Sequence, residues 1–301
     1  MEICKDLFKL ENTVVGLGFF DGVHLGHQEL INRMVTIAKT NSLKSVLVTF
    51  QKSPAEKFID NVEYLTTNEE KECLINSLGV DYLFELDFDF QMMNLTGLEY
   101  LEKVVCKSFK PKYIFTGFNH TFGKDKSGDS KMLKSNEERF GYKYVEIPAV
   151  EFEGDIVSST RIRSCLKTAN IELANRLLGY DYALLGKVIE GNKIGRTIGF
   201  PTANFEYPLP KVQIPFGVYS VRVEIDGESY LGMLNYGKKP TLNYTVLEPV
   251  LEVNIFDFAK NIYNKQIKIN LLKWIREEQK FSSLLDLKSQ IEKDLERCLK
   301  L

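Results

Sequence analysis

The sequence predicts an α/β protein in two parts: a domain built on a parallel sheet over residues 1–180, then an antiparallel β domain over residues 181–301. Three observations predict it. From residue 13 to about 150, short β-rich runs alternate with segments of helical periodicity, the pattern of a parallel sheet covered by helices on both faces. Beyond Gly179 the chain changes to closely spaced strand-like runs set off by turns, as in an antiparallel barrel or sandwich. The last stretch, Ser283–Leu301, carries Leu284, Leu287, Ile291, Leu295 and Leu299 at helical spacing.

The strands predicted in the first part are Thr13–Leu17, Val46–Phe50, Tyr82–Leu86, Tyr113–Thr116 and Tyr144–Ile147. Between the first two, Leu30, Ile31, Met34, Val35 and Ala38 fall on one face of a helix. Thr67 followed three residues later by Glu70 is a capping box that opens another. Leu98, Leu101, Val104 and Val105 mark a third. Two short helical patterns, Arg161–Lys167 and Ile171–Leu178, lead to the second part. Its predicted strands are Ala183–Ile189, Val218–Ile225, Tyr230–Leu234, Val250–Phe256 and Ile267–Leu272. Asp226-Gly227, between two of them, is a strong two-residue hairpin signal.

Composition narrows the classes of function. Hydrophobic content of 44% and charged content of 27% are those of an ordinary globular protein. A formal net charge of −2 leaves no basic footprint for nucleic acid. No apolar run approaches the ~18 residues of a spanning helix, and the opening MEICKDLFKLENT has no secretory h-region. The five cysteines are odd in number and scattered without a CxxC pair, which argues against a disulfide framework and a zinc site. The expectation is a cytoplasmic protein that acts on neither nucleic acid nor membrane.

Two of the three histidines, His24 and His27, stand together in GFFDGVHLGHQELI, residues 18–31. A strand, a glycine turn and a helix opening near His27 make an anion site, because backbone N–H groups and the helix dipole converge on negative charge. Two imidazoles three residues apart can donate hydrogen bonds to phosphate oxygens that gain charge as the phosphorus is attacked. Without a third ligand they make a poor metal site. Further on, DIVSSTRIR (residues 155–163) reads as a capped helix start, with Ser158, Ser159 and Thr160 as donors and Arg161 and Arg163 as charge for a polyphosphate. Between the two motifs, GFNHTFGKDKSGD (residues 117–129) is a loop suited to recognising a ring or a ribose.

FDGVHLGH, GFNHTFG and SSTRIR, in this order and spacing, resemble the adenylyltransferase half of the bacterial bifunctional riboflavin kinase/FAD synthetase family, a branch of the HxGH nucleotidyltransferases. GNKIGRTIGFPTAN (residues 191–204) carries the family's GxPTAN kinase signature. IPFGVYS, LNYGKKPTL, LEVNIFDF and WIREEQKF follow in the order of that kinase. The resemblance covers nearly the whole chain. It implies a Rossmann-like nucleotidyltransferase domain followed by a β-barrel kinase domain with a C-terminal helix.

The resemblance also implies two activities: phosphorylation of riboflavin to FMN, then adenylylation of FMN to FAD with release of pyrophosphate. ATP is co-substrate for both, Mg²⁺ the metal, and the chain a monomer or weak homo-oligomer. Residue by residue, it places His24 and His27 at the α-phosphate, Ser159, Thr160, Arg161 and Arg163 at the triphosphate, and Gly18, Asp21, Gly22 and Asn119 around nucleotide and flavin. In the kinase it gives the flap Gly191, Lys193, Gly195 and Arg196 to phosphate, Thr202 and Asn204 to metal or phosphate, and Glu252 to general base. Thr202 and Asn204 lie two apart on an extended segment, so they share a face. A lone strand glutamate ordinarily faces solvent; only the aligned motif singles out Glu252.

The chain departs from the family at two places. Phe19 stands where many relatives have Asn, and Ser53 replaces the histidine of an F-x-P-H-P run. Two alternative readings therefore stand beside the main one. One is a riboflavin kinase with a weakened adenylyltransferase domain; the other is a flavin- or nucleotide-binding regulator without turnover.

Overall fold

A computed structural model describes residues 1–191, 199–238 and 249–300. By contacts the chain forms two compact units, Met1–Ser159 and Thr160–Leu301. The first is a parallel six-stranded sheet ordered β1-β4-β3-β2-β5-β6, with β1 Glu2–Cys4, β2 Thr13–Leu17, β3 Lys44–Phe50, β4 Tyr82–Leu86, β5 Pro111–Gly117 and β6 Lys143–Ile147. Five of these are the strands the alternation predicts. β1 is too short to carry a period, and it adds an edge beside β4.

The sheet is buried on both faces. Along β2 and β3, Val15, Leu17, Val46 and Val48 join one core, while Val14 and Leu47 join the other with Leu30, Ile31, Met34 and Val35 of helix α1 (Leu25–Thr40). The capping box forms as predicted at α2 (Asn68–Ser77): Thr67 N–H donates to Glu70 Oε2 at 2.9 Å and Glu70 N–H to Thr67 Oγ1 at 3.2 Å. The third predicted helix is wound as π-helix over Tyr100–Cys106. The chain runs β2, β3, β4 in one direction and then returns to place β5 on the other side of β2. That reversal creates a crevice beyond the strand carboxyl ends, where open α/β sheets bind ligands. Asp155–Ile156 is not the lead into a helix but one strand of a small hairpin, β7 Glu151–Phe152 with β8 Asp155–Ile156. The helix itself begins at Ser159 and runs to Lys167.

The second unit is a closed barrel ordered β10-β13-β12-β11-β14-β9, with β9 Ala183–Ile189, β10 Ala203–Phe205, β11 Gly217–Ile225, β12 Glu228–Lys238, β13 Pro249–Ile255 and β14 Gln266–Glu277. Closure abolishes the exposed edges of an open sheet. The hairpin Asp226-Gly227 joins β11 to β12, with Ile225 opposite Glu228 and both turn residues at positive φ, 52° and 82°. The helix Ile171–Leu178 is tied to the barrel through Asn175, which donates to the Leu271 carbonyl at 2.8 Å and accepts from Tyr182 N–H at 2.8 Å.

The C-terminal helix, Leu284–Leu299, packs Ile291 and Cys298 against Val218 and Met233. Its anchor is Asp294, fully buried, which accepts from Arg276 Nε at 2.8 Å and from Gln290 Nε2 at 2.8 Å. Removing one member of a buried ion pair strands the other charge. Asp294→Ala is therefore expected to destabilise the barrel by about 3 kcal/mol, read as a lowered midpoint in urea unfolding. An unchanged midpoint would mean the helix docks through its apolar residues alone.

Candidate active sites

The histidine turn lies between β2 and α1, at the crevice. It is held in a conformation that side chains rarely adopt: Phe20, Gly22 and Val23 have φ of 57°, 77° and 35°. For a β-branched valine this is strain of the kind that persists only where the surroundings over-determine it. Here they do. Phe20 and Val23 are each only 1% exposed, and Gln28 Nε2 donates to the Val23 carbonyl at 2.8 Å. Asp21, also buried, accepts from the Leu65 and Thr66 N–H groups at 2.9 and 3.3 Å, and Gly22 N–H donates to Thr66 Oγ1 at 3.2 Å. Ser159 Oγ donates to the Asp21 carbonyl at 3.0 Å.

The turn sets the two imidazoles face to face, centroids 3.7 Å apart and planes 17° from parallel, with Phe20 edge-on to His27 at 5.3 Å. His27 Nδ1 is buried and has no hydrogen-bond partner among the described residues. Burial, with His24 beside it, holds the His27 pKa well below the usual 6.5, so the ring is neutral at pH 7. His120, in the loop after β5, is pushed down to about 4 by burial and stacks on Phe122 at 5.5 Å. It offers a flat neutral ring, not a charge.

Beside this turn is a cavity of about 700 Å³, walled by residues at the ends of four of the strands or beyond them: Gly18 and Phe19, Phe50, Met92, and His120 and Phe122. Its size and largely apolar wall suit a fused aromatic ring system. Asn119 is exposed on the turn that ends at His120. Phe19 packs on Tyr64 at 5.8 Å, and Tyr64 OH accepts from Ser53 N–H at 2.9 Å, so both departures from the family pattern meet one tyrosine. Ser53 Oγ in turn caps Pro54–Lys57 by accepting from Ala55 N–H. Ser159, the last residue of the first unit, opens the helix that carries Thr160, Arg161 and Arg163.

The barrel carries a candidate site of its own. β10 pairs with β13 so that Asn204 stands opposite Glu252, and β13 pairs with β12 so that Glu252 stands opposite Asn235. Directly opposed residues share a sheet face with Cβ atoms ~5 Å apart. The apolar neighbours Leu251 and Val253 turn the other way, fully buried. Glu252 is thus half-buried in a polar row across three strands, beside the nearly buried Asn204. Thr202, two residues before Asn204, lines a second cavity of about 490 Å³ with Pro201, Val253, Lys260 and Tyr263. The Pro201 carbonyl is fixed by Asn254 Nδ2 at 2.7 Å, a contact the sequence pattern does not reveal.

Gly191 approaches Asn204 so closely that a Cβ there would stand 2.2 Å from Nδ2 and 2.7 Å from Oδ1. Lys193, Gly195 and Arg196 lie outside the described residues.

Fold and sites together define a nucleotidyltransferase-type α/β domain joined to a kinase-type barrel. The FAD synthetase family matches residues 8–161 and the riboflavin kinase family residues 178–301. The bifunctional riboflavin kinase/FMN adenylyltransferase of Buchnera aphidicola subsp. Schizaphis graminum is 36% identical over 290 residues, which are 95% of this chain and 92% of that one. The Bacillus subtilis protein of the same description is 36% identical over 293 residues, 96% of this chain and 92% of its own. A solved structure from Streptococcus pneumoniae, described as a macrolide-efflux protein, is 35% identical, covers 98% of this chain and 96% of its own, and superposes with a TM-score of 0.90. The chain belongs to the bifunctional riboflavin kinase/FMN adenylyltransferase family. Among the described residues no helix is long and apolar enough to cross a membrane.

Proposed function

We propose that the barrel phosphorylates riboflavin to FMN and that the parallel-sheet domain adenylylates FMN to FAD, each with ATP. The observation that carries this reading is the presence in one chain of two separate sites: the stacked His24–His27 pair at the crevice, and the Asn204–Glu252 row on the barrel. Functionally we divide the chain at 180, with the helix Ile171–Leu178 kept in any kinase fragment because Asn175 holds Tyr182 and Leu271.

In the barrel, Glu252 accepts the proton of the ribityl 5′-hydroxyl as its oxygen bonds to the γ-phosphorus and the bond to the leaving ADP breaks. Thr202 Oγ1 and Asn204 Oδ1 are the hard oxygen donors that Mg²⁺ prefers. The space kept clear by Gly191 lets the Asn204 amide hold its place, so the residues fit the ion. Bound there, Mg²⁺ neutralises charge on the phosphates. The family resemblance gives Gly191, Lys193, Gly195 and Arg196 to the phosphates.

In the crevice, an FMN phosphate oxygen attacks the α-phosphorus of ATP and pyrophosphate leaves. That oxygen is already ionised at neutral pH, so no base is needed. His24 and His27 donate to the α-phosphate; the family resemblance gives Ser159, Thr160, Arg161 and Arg163 to the β- and γ-phosphates. The cavity lined by Phe19, Phe50 and Phe122 takes the isoalloxazine ring, with Gly18, Asp21, Gly22 and Asn119 shaping the turns around it. The enzyme works on small molecules in the cytoplasm, as a monomer or weak homo-oligomer.

Incubating the protein with riboflavin, ATP and Mg²⁺ and separating the flavins tests the whole reading. FMN followed by FAD is the expected result. FMN alone would mark the adenylyltransferase domain as inactive, and riboflavin unchanged would overturn both assignments. In the same assay Gly191→Ala is expected to slow FMN formation by about 10–100-fold, since a 1 Å misplacement of a positioning group costs that much, while FAD formation from supplied FMN stays. Wild-type FMN formation would show that Asn204 can shift without harm.

A further inference from the structure

Lys71 is a buried cation that the proposed chemistry does not use. It is only 3% exposed, on α2, and its Nζ lies 3.5 Å from Glu85 Oε1 at the end of β4, a carboxylate 2% exposed. The same Nζ donates to the Phe50 carbonyl at 3.3 Å, at the last residue of β3. It also stands over the Phe19 ring, 5.2 Å from the centroid, in the turn after β2. One ammonium therefore touches the ends of β3 and β4 and the turn after β2. Two of the groups it holds, Phe19 and Phe50, are walls of the 700 Å³ cavity.

The cost of this arrangement is the loss of solvation around the charge. Burial pulls the Lys71 pKa down despite Glu85, and burial followed by the nearby Glu85 pushes Glu72 up. A charge placed where solvation is lost stabilises little by itself; an apolar pair of similar volume is often as stable or more so. The contact with Phe19 adds what an apolar residue would not. A cation held over an aromatic ring favours one orientation of that ring.

We propose that Lys71, anchored by Glu85, is a positioning residue for FMN adenylylation: it sets the Phe19 and Phe50 walls of the flavin cavity. The inference rests on the reading of that cavity as the flavin site. If it acts this way, its loss appears as weaker use of FMN, not as loss of the fold.

The test uses the full chain and the double variant Lys71→Met/Glu85→Gln, which leaves no lone charge buried. FAD formation is measured against FMN concentration, with riboflavin phosphorylation and the thermal unfolding of the first unit as controls. A purely structural ion pair predicts that the double variant recovers both stability and wild-type kinetics. The positioning role predicts a folded protein with KM for FMN raised roughly 10-fold or more, kcat changed much less, and FMN formation intact. A folded double variant with wild-type KM for FMN overturns the proposal. Should that variant fail to fold, Lys71→Gln/Glu85→Gln decides: it keeps a donor for the Phe50 carbonyl, strands no buried charge and removes the cation from the ring. A raised KM there supports the proposal, and an unchanged KM overturns it. Absence of FAD formation in the wild-type chain would instead overturn the assignment of the crevice, with the inference that rests on it.

Discussion

Glu252→Gln is expected to lower FMN formation from riboflavin and ATP by about 10²–10⁴-fold, the usual contribution of a general base. Glutamine keeps the side chain's shape, and the backbone pairings of β13 with β10 and β12 do not depend on it. The fully buried Leu251 and Val253 on either side hold the strand in register. What disappears is the capacity to take the hydroxyl proton as the new O–P bond forms. The loss should therefore fall on kcat, with KM for riboflavin little changed, because the proton is in motion only in the transition state. FAD formation from supplied FMN, carried by residues of the other domain, is expected to be unaffected. Initial rates with chromatographic separation of the flavins measure both. A variant that phosphorylates riboflavin at the wild-type rate would remove Glu252 from the mechanism and leave it as an ordinary half-buried strand residue.

The reason Glu252 could be singled out from sequence differs from the reason its setting could not. Its motif is local, and so are the histidine turn, the Thr67–Glu70 capping box and the Asp226-Gly227 hairpin; each forms where a few adjacent residues dictate it. The sheet strands are legible for the same reason: each is a short β-rich run, and β2, β3 and β4 are buried almost throughout. What stayed hidden depends on register between distant segments. Asn204 faces Glu252 only because the barrel closes with one particular pairing, and Asn254 reaches the Pro201 carbonyl across 53 residues.

Lys71 illustrates the limit most directly. In the helix Asn68–Ser77, which opens with acidic residues, a lysine reads as part of a solvated face, and nothing nearby announces that Glu85 and Phe19 will enclose it. Asp21 is a related case. Its place beside the histidines suggests contact with nucleotide, and the fold commits one carboxylate oxygen to the backbone of Leu65 and Thr66. A buried carboxylate that satisfies two N–H groups shapes the turn, and through it the placing of His24, whatever else it meets.

His27→Ala is expected to lower the turnover of FMN to FAD by roughly 10²–10³-fold, the loss found when one preorganised donor is removed from a developing negative charge. The stacking on His24 at 3.7 Å and the edge contact with Phe20 fix the ring before any ligand arrives, so the interaction costs no reorganisation during reaction. The apparent affinity for ATP should change much less, because charge accumulates on the α-phosphate only as the phosphorus is attacked.

The depressed pKa of His27 sets the sign of the pH dependence. Its neutral form is the one present above pH 6.5, so FAD formation should not decline through deprotonation of this ring as pH rises from 6.5 to 8. Below 6.5 the unfolded chain takes up the proton before the folded one, and stability contributed by the buried neutral ring is progressively lost as pH falls. Riboflavin and ATP given to the variant should yield accumulated FMN with little FAD, a product ratio that flavin chromatography reads directly. His27→Gln, which retains an N–H donor without the ring, should recover part of the loss if donation is what matters. If FAD output from His27→Ala equals that of the wild type, the histidine pair does not act on the α-phosphate, and the strained Phe20–Val23 turn would owe its conformation to packing alone.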